Sequence, residues 1–200
     1  MNAAPVQAVG EWRTNGALIA DVARLGYLDG HVLDVTHGLG RFWTEWRPTR
    51  LTAIDLDPAK STSLAEGADF RHLPYENASF DSVVIDPPYR FTGTADQSFD
   101  GAYGLKPAVR WQDRMQLIVD GVIECCRVSR GFVLVKCQAQ VVSGRVRWQD
   151  VEVTTAAADA GWRLVDRFDL VTPQRPQPTG RRQVHARRNH STLLVLGGGS

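Results

Sequence analysis

Short runs of β-branched and aliphatic residues recur along the chain, separated by stretches whose apolar positions fall three and four apart. The runs 31–35, 50–54, 68–71, 80–85, 131–136, 162–170 and 191–196 read as strands. Helical spacing links Ala17, Leu18, Val22, Leu25 and Leu28 after Thr14, with Gly26 and Gly30 punctuating the end. It recurs in Trp111, Met115, Ile118, Val119, Val122 and Cys126 after Pro107, and a further helix is expected over 146–160. Pro58 suits the first turn of another. Strands alternating with amphipathic helices predict an α/β fold, with a mostly parallel sheet covered on both faces. The expected organisation is an N-terminal tail over 1–13, one domain over 14–196 and a flexible tail over 197–200, where Gly-Gly-Gly-Ser closes the chain.

Composition narrows the class without naming a function. A chain of 200 residues, 43% apolar and 22% charged, suits one soluble domain, and no apolar run reaches the roughly 18 residues of a membrane span. The first ten residues carry no basic segment followed by an apolar run, so a cytoplasmic location is expected. Cys125, Cys126 and Cys137 have neither disulfide-framework nor metal-ligand spacing and read as reduced apolar fillers. The net charge of +1 conceals a local asymmetry: 171–190 holds Arg175, Arg181, Arg182, Arg187 and Arg188, two histidines and no acid. Such a segment is either a solvated loop or a footprint for a polyanion.

In an open α/β sheet the ligand lies beyond the carboxyl ends of the strands, so the residues that follow each strand carry the chemistry. After the first comes Asp34-x-Thr36-x-Gly38-x-Gly40, with two glycines where backbone must approach a ligand closely. After the second, 21 positions on, comes Asp55, placed to accept from ribose hydroxyls. On the third, Asp69 suits an adenine amino group and Phe70 the face of the ring. A dinucleotide loop needs a third glycine where Trp43 stands, and Asp34 would repel a diphosphate while tolerating a cationic sulfonium. S-adenosylmethionine is therefore the expected cofactor.

The fourth predicted strand ends in Asp86-Pro87-Pro88-Tyr89. The prolines lack N–H donors, leaving the Asp86 side chain and the Pro87 carbonyl as acceptors. Two acceptors without a donor suit an exocyclic –NH₂, whose lone pair is aimed at a methyl carbon when both hydrogens are held, while Tyr89 stacks on the base. The competing reading is an exposed turn with a capping aromatic.

At these residues the chain resembles the class I S-adenosylmethionine-dependent methyltransferases. Within them it resembles the D-P-P-Y amino-methyltransferases that modify adenine N6 or cytosine N4 in DNA. The resemblance runs from about Thr14 to Leu196. It implies a single-domain, Rossmann-like, seven-stranded sheet with an antiparallel last strand. It also implies that Asp34, Thr36, Gly38 and Gly40 line the methionine part of the cofactor, Asp55 its ribose and Asp69 with Phe70 its adenine. Thr14 and Asn15 would lie near the methionine carboxylate, and Asp86, Pro87, Pro88 and Tyr89 would hold the base. The loop reads D-V-T-H-G-L-G rather than D-P-x-x-G-x-G, a form similar to that of several RNA base methyltransferases, and no separate target-recognition module fits in the chain. Recognition then falls to 90–106, 138–147 and 172–190, with Arg90, Lys136, Arg181, Arg182, Arg187 and Arg188 as nucleic-acid contacts. The stretch 181–190 also resembles the end of small bacterial and phage proteins of this methylase type. The expected partner is nucleic acid, DNA before RNA. A rival from another class is a nucleic-acid-binding protein that keeps the fold without turnover.

Overall fold

The computed structural model describes residues 11–64, 66–88, 91, 110–171, 184–186 and 188–198. Its first four strands are β1 (His31–Asp34), β2 (Arg50–Ala53), β3 (Phe80–Ile85) and β4 (Ser129–Cys137). The short β5 (Gln140–Val142) and β6 (Arg145–Arg147) follow, and then β7 (Trp162–Val171) and β8 (His190–Gly198). Six of these form one sheet in the order β2-β1-β3-β4-β8-β7. β8 runs antiparallel to both neighbours, whereas β1 pairs in parallel with β2 on one side and β3 on the other. The chain thus leaves β1 in one direction and returns on its opposite side. The gap between the carboxyl ends of β1 and β3 is a topological switch point, where such sheets hold ligands.

Side-chain alternation splits the core into two layers. Val83 and Ile85 of β3, Val133 and Val135 of β4, and Leu194 and Leu196 of β8 pack on the face covered by α2 (Trp111–Val128), with Ile118 and Val122. Their neighbours Val84, Leu134, Leu193 and Val195 face α1 (Asn15–Arg24), with Leu18, Ile19 and Val22. Strands buried on both faces read as continuous apolar runs, which makes them legible in the sequence. α3 (Gln149–Asp159) adds Val153 and Ala157 to the α2 side.

The structure departs from four expectations. No strand forms over 68–71. Ala68 N–H donates to the Asp55 carbonyl at 3.0 Å, and Gly67, at φ +70°, lies so close that a Cβ would stand 2.7 Å from the same oxygen. The segment therefore folds back onto the end of β2. Beyond it, Arg127 of α2 donates to the Leu73 and Tyr75 carbonyls, supplying partners that a sheet edge would otherwise give. Among the described residues the sheet accordingly has six strands rather than the seven expected.

Second, the helix expected over 146–160 starts at Gln149, and ahead of it β5 and β6 form a separate hairpin. Ser143 and Gly144 turn it with φ of +50° and +73°, the left-handed pair of a two-residue hairpin loop.

Third, Pro58 opens only a turn, in which Asp57 accepts from the Ala59 N–H at 3.0 Å. Fourth, the domain extends beyond 14–196. Trp12 is buried and donates its indole N–H to Asp21 Oδ2 at 2.9 Å, and β8 runs on through Gly198. Among the described residues no helix is long and apolar enough to cross a membrane.

Candidate active site

The loop after β1 is organised around Asp34. The strand ends with this carboxylate 3% exposed, and it accepts three hydrogen bonds from residues just downstream. Thr36 N–H donates to Oδ1 at 3.1 Å, while His37 Nδ1 and Trp43 Nε1 donate to Oδ2 at 3.1 and 2.7 Å. A buried carboxylate needs such partners, and their supply by its own loop makes the turn self-bracing. Trp43, where a dinucleotide loop would carry glycine, is thus the donor that fixes Asp34. Gly38 and Gly40, at φ +54° and +67°, let the chain double back within this turn.

Asp55 joins the second strand to that loop. Its Oδ2 accepts from the Gly38 N–H at 2.9 Å and its Oδ1 from the Asp57 N–H at 2.9 Å. Asp69 is held by a two-pronged Arg71, whose Nε and Nη2 lie 3.0 and 2.6 Å from Oδ2. Burial pushes its carboxyl upward, but the bonds from the Arg71 side chain and backbone outweigh this and hold it below the usual range. Phe70, expected to cover an adenine ring, is instead a core residue. It is fully buried, and a Cβ on Gly121 of α2 would stand 2.3 Å from its ring. The fold-back of 66–71 that removes the third strand also turns this ring inward.

The turn after β3 meets the glycine loop directly. Asp86 N–H donates to Thr36 Oγ1 at 2.7 Å, and Pro87 is buried beside it. The Asp86 Oδ1 atom is shut off from solvent and has no hydrogen-bond partner. Burial raises the Asp86 carboxyl to about 6; Lys136 opposes the shift and Asp34 adds to it. Buried, unsatisfied acceptors are costly and rare, and this one sits at the switch point.

Lys136, expected as a nucleic-acid contact, lies on the central strand β4 and is 3% exposed. Its ammonium donates to Asn15 Oδ1 and lies 5.4 Å from the Phe42 ring centroid. Burial lowers its pKa, and Asp86 counteracts this. Asn15 opens α1, and Thr14 caps that helix by accepting from the Ala17 N–H at 3.0 Å while donating to Glu45 Oε1 at 2.6 Å. The first turn of α1 is therefore tied to the same strand ends.

Arg188 stacks on Trp148, its guanidinium carbon 4.5 Å from the ring centroid, and Arg147 stacks on Trp111 at 4.0 Å. His185 Nε2 lies 2.6 Å from the Gly144 carbonyl, placing His185 against the β5–β6 hairpin. Tyr89, Arg90, Arg181, Arg182 and Arg187 lie outside the described residues. The three cysteines are free and buried; burial raises every thiol, that of Cys126 to about 12, which makes them unreactive. No cluster of three His, Cys, Asp or Glu able to hold a metal ion is present among the described residues.

No protein-family model matches the chain, and no curated protein matches it by sequence. Among solved structures, it is similar to magnesium protoporphyrin IX methyltransferase (ChlM) from Synechocystis PCC 6803 with bound S-adenosylhomocysteine. The TM-score is 0.54 at 11% identity, over 92% of this chain and 82% of that one. The same enzyme is also solved with bound S-adenosylmethionine, the cofactor expected from the sequence. A SAM-dependent methyltransferase from Methanosarcina mazei gives a TM-score of 0.50 at 12% identity, over 88% of this chain and 96% of that one. A candidate DNA modification methylase from Thermus thermophilus gives 0.46 at 14% identity, over 66% of this chain; the chain spans 52% of that protein's length. The fold of this chain is that of the S-adenosylmethionine-dependent methyltransferases.

Proposed function

We propose that this protein transfers a methyl group from S-adenosylmethionine to an exocyclic amino nitrogen of a nucleic-acid base, with DNA as the preferred polymer and adenine N6 or cytosine N4 as the acceptor. The observation that carries the reading is Asp86: a carboxylate oxygen enclosed and unpartnered at the switch point, hydrogen-bonded through its own backbone to the glycine loop. A group of that kind is an acceptor waiting for a donor. An exocyclic amine supplies two hydrogens, which Asp86 and the Pro87 carbonyl would share.

The residues fit the cofactor on three counts. Asp34 would put negative charge near the sulfonium; Gly38 and Gly40 present backbone without side chains; Asp55 ends the neighbouring strand. Bound there, the cofactor supplies an electrophilic methyl carbon. The chain's contribution is orientation. Asp86 and Pro87 would draw the amine hydrogens from the ring plane, aim the lone pair and leave the base stacked on Tyr89. After transfer, Asp86 or solvent takes the surplus proton.

The test is transfer of labelled methyl into duplex DNA, single-stranded DNA and total RNA, followed by nucleoside mass spectrometry. N6-methyladenine or N4-methylcytosine in DNA is the expected result. Label in RNA alone would move the assignment to RNA bases. Cofactor binding without label in any polymer would favour a non-catalytic binder.

A further inference from the structure

We propose that Lys136 is a positioning residue for Asp86: its buried ammonium, tethered by Asn15, keeps the Asp86 side chain an acceptor-only group facing the substrate amine. The inference rests on the function proposed above. Ile85 pairs with Val135 across β3 and β4, so Asp86 and Lys136 are the next residues along neighbouring parallel strands. Both lie at the carboxyl edge of the sheet, and Asn15 at the start of α1 receives the ammonium's hydrogen bond.

The charge arrangement explains why a lysine is there. From β1, Asp34 acts on Asp86 with like charge, its own Oδ2 occupied by His37 and Trp43; from β4, Lys136 acts on it with opposite charge; from α1, the neutral Asn15 accepts from that ammonium. Burial and Asp34 both favour the protonated acid. A protonated Asp86 carries an O–H, and a donor there would oppose an amine that must itself donate. Lys136 is the described group that pulls the other way.

The ammonium acts through its field, because Asp86 Oδ1 has no hydrogen-bond partner and its lone pairs remain free. A merely stabilising role accounts poorly for the arrangement, since buried charge pairs replaced by apolar residues of similar volume are often no less stable.

The experiment follows the Asp86 carboxyl by carbon-13 NMR titration, and methyl transfer as a function of pH, in the native chain, Lys136→Met and Lys136→Arg. Thermal melts check folding, with Lys136→Gln giving the same readout if the methionine variant does not fold. The charge-removing variant should raise the Asp86 titration midpoint by about one pH unit or more and move the acid limb of the rate equally. For a one-unit rise that amounts to roughly a threefold loss near pH 6.5, growing towards tenfold below about pH 5 and recovered by about pH 8.5. Lys136→Arg should bring the limb back. An unmoved Asp86 titration in a folded charge-removing variant overturns the inference, as does a loss of rate equal at every pH. If the titration moves as expected while the native chain methylates no nucleic acid, the functional reading fails and the Lys136–Asp86 coupling stands.

Discussion

Thr36 Oγ1 accepts the Asp86 backbone N–H at 2.7 Å, joining the loop after β1 to the turn after β3 across the switch point. One hydroxyl thus sets the distance between the proposed cofactor and substrate halves of the site. Thr36→Val leaves that N–H without its acceptor and should cost about 1–3 kcal/mol in stability. It should also lower methyl transfer by roughly tenfold or more, because misalignment of reacting groups is penalised steeply. Thr36→Ser keeps the hydroxyl and should recover most of both. Denaturant titration and initial rates on the three proteins check this.

Asp86→Ala should abolish methyl transfer while leaving cofactor affinity within a few fold, measured by calorimetry. A non-catalytic binder would show no activity to lose.

The same carboxyl makes stability depend on pH with a defined sign. Its folded-state value, about 6, lies above the unfolded value near 4, so the folded state holds the proton more tightly. The stabilisation is complete below about pH 4 and is lost as pH rises through about 6. Asp86→Asn removes this dependence, and its stability relative to the native chain should improve by up to about 2–3 kcal/mol between roughly pH 4 and pH 7.5. Chemical denaturation of both proteins across that range tests it. An unchanged difference would show that the fold does not raise the Asp86 carboxyl.

Trp43→Phe removes the indole donor to Asp34 Oδ2, leaving His37 alone on that oxygen. A loss of about 1–3 kcal/mol is expected, together with weaker cofactor binding, because the glycine loop is braced through this carboxylate. Melting temperature and cofactor titration report the two effects separately.

For the basic segment, replacing Arg181, Arg182, Arg187 and Arg188 with glutamine should weaken nucleic-acid binding. Its salt dependence should flatten by about one unit of slope for each phosphate no longer neutralised. Fluorescence anisotropy at several salt concentrations measures it. Unchanged binding and rates would favour a small-molecule acceptor.

By itself the sequence determined the central sheet and the chemistry at its edge. β1, β3, β4 and β8 are buried on both faces, so their apolar runs are unambiguous, and Asp34, Asp55 and Asp86 stand as polar residues at three strand ends. The β5–β6 hairpin had a local signal in Ser143-Gly144, but its three-residue strands are too short for periodicity to register. Tertiary structure alone decided the rest. Phe70 became core because Gly121, far along the chain on α2, left room for its ring, and the Ala68 N–H went to the Asp55 carbonyl rather than to a neighbouring strand. Lys136 became an internal charge because β4 sits between β3 and β8, where a lysine at the strand's end cannot reach water and must find Asn15 and Asp86. Periodicity reports which side of a strand a residue faces; what stands opposite it depends on distant segments that only folding brings together.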